Sequence, residues 1–290
     1  MANRPTKLVA PVMLAMLTTP AFAAPDTVFF PSGDGSTEIV AYLFRPPTRG
    51  PHPAIVMLHG RGGPYSANVN DECTLVSRSS PSACNADSLS KRHAMWGQYW
   101  VERGYVALLP DSFGPRGKAH GFERFTHDDP DRADVNEKTV RPLDAEGALR
   151  WLHGQRDVIP DRIFLQGWSN GGSTALNVMQ RQGEKTSGYR AALALYPGCG
   201  KNALLAPELK TPAPIALLLG SDDEEVSPAR CQEMARRSIA AGSKVDVVLY
   251  PGATHGFDDP GRSRQSIPGN RSALEDALKR AIAFVETVRD

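Results

Sequence analysis

The sequence predicts an α/β fold: a mainly parallel central sheet with helices on both faces. Short apolar runs alternate along the chain with segments of helical spacing. Strands covered on both faces read as near-continuous apolar runs, and that alternation builds parallel sheets. No internal repeat and no linker divides the chain, so residues 24–290 are expected to form a single domain.

The elements follow in order. EIVAYLFRP (38–46) reads as an edge strand, and PAIVMLHG (53–60) as a short buried strand ending in glycine. MWGQYWVERG (95–104) has helical spacing and a glycine stop. YVALLPD (105–111) is another buried strand. EKTVRPLDAEGALRWLHG (137–154) is helical in pattern, with Pro142 near its start, where proline is tolerated. RIFLQG (162–167) is a strand and GSTALNVMQRQ (172–182) a helix. AALALYPG (191–198), PIALLLG (214–220) and KVDVVLYPG (244–252) are strands. ARCQEMARRSIAAG (229–242) and SALEDALKRAIAFVETV (272–288) are amphipathic helices. Residues 61–92 and 112–136 form loops long enough to carry function.

The 290 residues are 41% hydrophobic and 22% charged, which is ordinary globular composition. A net charge of +1 argues against a nucleic-acid binder. The first residues, MANRPTKLVAPVMLAMLTTPAFAAPD, carry Arg4 and Lys7, then an apolar stretch, then Ala21 and Ala23 as an A-x-A cleavage site. That is a secretory leader over residues 1–23. The apolar stretch is too short, and too broken by Pro11 and Pro20, for a membrane anchor. The mature chain is expected to be exported, periplasmic or secreted, with no membrane partner.

Export changes how the cysteines read. An even set, Cys73, Cys84, Cys199 and Cys231, suggests disulfides in an oxidising compartment. Local pairing, Cys73 with Cys84 and Cys199 with Cys231, is the expectation, with free buried thiols as the alternative. No pair has the Cys-x-x-Cys spacing of a zinc site, so no metal is expected.

Chemistry centres on LQGWSNGGST (165–174). Small residues surround Ser169 where a strand must reverse into a helix, the setting of a Gly-x-Ser-x-Gly nucleophile elbow. Such elbows take their acid and histidine later in the chain, in that order. LLLGSDDEEVSP (217–228) offers Asp223, with Asp222 as the alternate, and LYPGATHGF (249–257) offers His255. All sit just past predicted strands, on the edge where open α/β sheets build their sites. A serine hydroxyl needs a base, and the base needs a carboxylate to hold its tautomer. The backbone N–H groups of Asn170 and of Arg61, in HGRGG (59–63), are the expected oxyanion donors. Singly each residue has a bland reading: a turn serine, a surface-loop histidine, a solvated acidic loop. Together and in order they predict a triad. His59 is expected to pack beneath its loop, and Arg116 to brace its own.

The segments MLHGRGG, GYVALLPDSFGPRG, GWSNGG, LYPGCG, LLLGSDDEEVSP and YPGATHGFD resemble the dienelactone hydrolase family of α/β-hydrolases. The resemblance runs from about residue 35 to residue 288. It implies a single-domain α/β-hydrolase fold without metal or organic cofactor, and it carries nucleophile, acid and base onto Ser169, Asp223 and His255. Founding members use a cysteine nucleophile beside an oxyanion-loop glutamate. Here the elbow holds serine and HGRGG has no glutamate, as in the exported serine esterases grouped with that family. The implied substrate is a small ester or lactone. An exported prolyl-oligopeptidase-like peptidase and a non-catalytic binding protein on the same scaffold are the competing readings.

Overall fold

The structure, a computed structural model, describes residues 24–70, 72–126, 128–183 and 188–288. The leader expected over residues 1–23 lies outside the described residues. In chain order the strands are β1 (Asp26–Pro31), β2 (Glu38–Phe44), β3 (His52–Leu58), β4 (Val106–Asp111), β5 (Val158–Trp168), β6 (Ala192–Leu195), β7 (Ile215–Gly220) and β8 (Val245–Tyr250). The helices are α1 (Ala67–Asn70), α2 (Lys91–Val101), α3 (Arg141–His153), α4 (Asn170–Gln182), α5 (Pro228–Ala240), α6 (Arg262–Gln265) and α7 (Pro268–Thr287).

The strands form one sheet in the order β1-β2-β4-β3-β5-β6-β7-β8. From β4 to β8 every pairing is parallel; β1–β2 and β2–β4 are antiparallel. The expected edge strand over 38–46 is therefore corrected. β1 pairs along its outer side, from Asp26 opposite Leu43 to Pro31 opposite Glu38. The reason is visible in β2 itself: every position from Ile39 to Phe44 is buried, so its open side needed a partner. β1 supplies one with Val28 and Phe30 at strand period.

Successive strand residues feed two cores. Ile55 and Met57 of β3 join Trp96 and Trp100 of α2 and the Ala273, Ala277, Ala281, Val285 stripe of α7. Ala54, Val56 and Leu58 join α3, α4 and α5 through Ala145, Leu176 and Met234. Helices thus cover both faces, and each fully buried side chain of the size of Phe164 contributes roughly 1.5–3 kcal/mol. Because β3, β5, β7 and β8 run in one direction, the turns after Leu58, Trp168, Gly220 and Tyr250 all open on one edge of the sheet.

Candidate active site

At that edge, β5 ends at Trp168 and α4 begins at Asn170, leaving Ser169 alone to make the reversal. Its backbone sits at φ 52°, ψ −117°, a region that costs a non-glycine residue of order 1–3 kcal/mol. The flanking glycines permit it. A Cβ on Gly171 would lie 2.0 Å from the carbonyl oxygen of Leu58, and one on Gly167 would lie 2.1 Å from that of Gly171. Strand, turn and helix are this close only because neither residue has a side chain. The Ser169 N–H is tied to the carbonyl of Leu195 on the neighbouring strand, at 2.9 Å.

His255 stands between the serine and an acid. Its Nε2 is 3.0 Å from Ser169 Oγ. Its Nδ1 is 2.9 Å from Asp223 Oδ2 and 3.1 Å from Oδ1. An ionised carboxylate only accepts, so Nδ1 carries the proton and Nε2 is left to accept from the serine hydroxyl. Asp223 Oδ1 also receives the N–H groups of Glu225 and Val226, both at 2.9 Å, which pins its carboxylate to its own turn. Asp222 points elsewhere, accepting the Ser221 hydroxyl at 2.7 Å on the surface. The acidic turn is therefore not a uniformly solvated loop. The Asp223 side chain is 1% exposed, and Glu224 Oε2 receives the His255 N–H at 2.9 Å. His255 is further set by an edge-on contact with Tyr196, ring centroids 4.7 Å apart.

The two expected oxyanion loops meet beside the serine. Asn170 is the first residue of α4, where an N–H has no acceptor within its own helix. Arg61 lies in the turn after β3, held by its side chain, which donates to Phe122 O at 2.8 Å and to Glu225 Oε2 at 3.2 Å. Glu225 also receives Arg124 at 2.8 Å and stands 3.7 Å from His255 Nε2. A glutamate thus does approach the reactive groups, but from the acid turn rather than from HGRGG. A cavity of ≈ 40 Å³ opens here, lined by Ser169, Asn170, Ser173, Gly198, Ala203 and Val226 among others.

His59 and Arg116 occupy supporting positions. His59 is fully buried, and its Nε2 accepts the Ser112 N–H at 3.1 Å. Burial and the nearby Arg141 charge hold its basicity well below the ordinary histidine value. Arg116 grips Asp144 with both terminal nitrogens, at 2.8 and 2.9 Å, bracing its loop against α3. The cysteines pair as Cys73–Cys84, within the 61–92 loop, and Cys199–Cys231, joining the segment after β6 to α5.

Two buried charges under the site escaped the sequence reading. Asp258 receives the indole N–H of Trp96 and of Trp168, both at 2.7 Å, and the Tyr196 hydroxyl. Arg141, at the start of α3, donates to Asn170 Oδ1 and, at 2.7 Å, to the His59 carbonyl. The only local signal for Asp258 was an acid directly after the apolar Phe257, and Arg141 looked like an ordinary first-turn residue.

A family model, the dienelactone hydrolase family, matches residues 89–289. The chain is also similar to solved structures. A putative dienelactone hydrolase from Klebsiella pneumoniae is 18% identical, with a TM-score of 0.64 over 90% of this chain and 99% of that one. A dienelactone hydrolase-like promiscuous phosphotriesterase from metagenomic libraries is 17% identical, with a TM-score of 0.67 over 92% of this chain and 99% of that one. Esterase 2 of Thermogutta terrifontis, phosphorylated by paraoxon, is 20% identical, with a TM-score of 0.61 over 93% of this chain and 96% of that one. At these identities the likeness speaks to the fold.

Proposed function

The chain belongs to the dienelactone hydrolase family, and from that premise we propose that it is an exported carboxylic-ester hydrolase working through an acyl-enzyme on Ser169. The observation that carries this reading is His255, within hydrogen-bond reach of Ser169 Oγ at 3.0 Å and of Asp223 at 2.9 Å. Ser169 Oγ attacks the ester carbonyl carbon while its proton passes to His255 Nε2. Asp223 holds the imidazolium that results. The carbonyl oxygen takes the negative charge and lodges on the N–H groups of Arg61 and Asn170, each such donor lowering the barrier by about 3–4 kcal/mol. Collapse expels the alcohol, which takes the proton from Nε2. A water then repeats the cycle on the acyl-enzyme, releasing the acid and restoring the serine.

The cavity beside Ser169 is small, at ≈ 40 Å³, which favours a short acyl group. The disulfides fit an oxidising compartment and therefore export. Among the described residues no helix is long and apolar enough to cross a membrane.

Ser169→Ala tests the nucleophile. Hydrolysis of p-nitrophenyl acetate should fall at least about a hundredfold while the circular dichroism of the fold is kept. Paraoxon, which phosphorylates the similar Thermogutta esterase, should label the wild type on the tryptic peptide containing Ser169. A folded Ser169→Ala enzyme with near-normal turnover removes the assignment. Faster cleavage of an aminoacyl anilide than of the acetate turns the reading to a peptidase.

A further inference from the structure

Beneath the loops that carry Arg61 and Asn170 lies the guanidinium of Arg141. Arg141 is fully buried. One terminal nitrogen donates to the side-chain oxygen of Asn170 and the other, at 2.7 Å, to the carbonyl of His59. Its Cζ lies 5.0 Å over the Phe113 ring. Among the described residues no acid comes within ion-pair distance of it. The acids that face it are committed elsewhere. Asp144 is gripped by Arg116 at 2.8 Å and by Ser32 at 2.7 Å. Asp111, on the far side of His59, receives Tyr65 at 2.8 Å and the N–H groups of Phe113 and Gly114 at 2.9 Å. Glu137 acts on it only at longer range. Burial draws the guanidinium down to about 10, so it remains a cation at neutral pH.

A buried charge without a counter-charge is expensive, and it persists only where the surrounding fold enforces it. Neutral donors could hold Asn170 and His59 together equally well. What only a cation adds is a positive potential behind the N–H groups of Asn170 and Arg61, in surroundings that screen it weakly. We propose that Arg141 is a positioning residue of the oxyanion site, joining its two loops and supplying, from one layer behind, a positive field that stabilises negative charge on the substrate oxygen. This rests on the ester-hydrolase reading above.

The test separates the tie from the field. Arg141→Met should lower kcat roughly 10- to 100-fold, somewhat less than loss of a direct oxyanion donor, with KM within about threefold. Arg141→Lys should recover most of that loss. Asn170→Asp keeps an acceptor for the guanidinium but cancels its charge. It should lower kcat by about tenfold or more while the thermal midpoint stays level or rises. Affinity for a trifluoromethyl ketone, which forms the tetrahedral oxyanion on Ser169, should fall in proportion to kcat/KM across the set. If Arg141→Met does not fold, the Lys and Asp variants decide. Full turnover in Asn170→Asp, or in a folded Arg141→Met, overturns the field. A wild type inert to p-nitrophenyl acetate and paraoxon overturns the ester reading and this inference with it, whereas an active wild type with unaffected variants overturns this inference alone.

Discussion

Two buried charges support the candidate site from opposite sides, and they are treated in opposite ways. Under the serine and histidine lies Asp258, whose carboxylate collects two indole N–H groups, a tyrosine hydroxyl and, at 3.3 Å, the Arg92 guanidinium. Under the two loops proposed to hold the oxyanion lies Arg141, which among the described residues meets only neutral acceptors. A fully matched charge has little field left to project. What it does is fix positions: Trp168 precedes Ser169, Tyr196 packs on His255, and Asp258 follows His255 by three residues. One carboxylate therefore holds the elbow, the ring and the histidine turn in register. An unmatched charge fixes fewer groups but leaves its potential available to the reaction. Geometry on one side and field on the other is the division that the variants below can break.

The largest stability loss should come from Asp258→Ala. It takes from Arg92 one of two carboxylates, Asp259 remaining at 3.4 Å, and leaves two indole N–H groups and a tyrosine hydroxyl buried without their acceptor, a loss of about 3–5 kcal/mol. Urea denaturation measures it. Arg141→Met should cost less, within about 2 kcal/mol, because the two acceptors left unpaired are offset by no longer burying a bare charge. Equal losses in the two variants would erase the distinction between lock and field.

Acid should act on the Asp258 side next. His93 packs edge-on against Trp168 at 5.2 Å, and its Nδ1–H donates to the Pro64 carbonyl at 2.9 Å. Burial, and then the Arg92 charge, push it down to about 3. The unfolded chain binds a proton here below the ordinary value of about 6.5, while the folded chain stays neutral until about 3. Unfolding therefore takes up protons in that window, and stability falls as pH drops through it, by up to about 1.4 kcal/mol per unit. The urea midpoints of wild type and His93→Gln should converge between pH 7 and pH 5. A gap that stays constant denies His93 this role. The smallest effect should be Trp96→Phe, which removes one donor to Asp258 and keeps most of the ring, at about 1 kcal/mol. A loss of 3 kcal/mol or more, the order expected of a broken buried pair, would mean that the indole, not the arginine, is the critical partner.

Much of this molecule is written locally. Apolar period and turn chemistry placed the parallel strands and most helices within a few residues, because both act over a handful of neighbouring positions. The elbow was legible for the same reason: Gly167 and Gly171 are needed by contacts made within one turn and with the adjacent strand. Chain order, with one acid turn and one histidine turn after later strands, placed Ser169, the Asp222–Asp223 pair and His255 on a common edge. Three things were decided only by the tertiary structure. β2 is internal because β1 folds back across it, a pairing for which a short strand next to the expected leader left little signal. Asp223 rather than Asp222 meets His255 because adjacent side chains on a turn diverge, and their directions depend on the N–H groups of Glu225 and Val226 closing onto one of them. Arg141 and Asp258 acquire their places from partners far away in the chain, Asn170 and His59 for one, Trp96, Trp168, Tyr196 and Arg92 for the other. Pattern along a chain records which face a residue turns to the core; it does not record which distant polar group waits there, and for a buried charge that partner determines whether it locks a structure or projects a field.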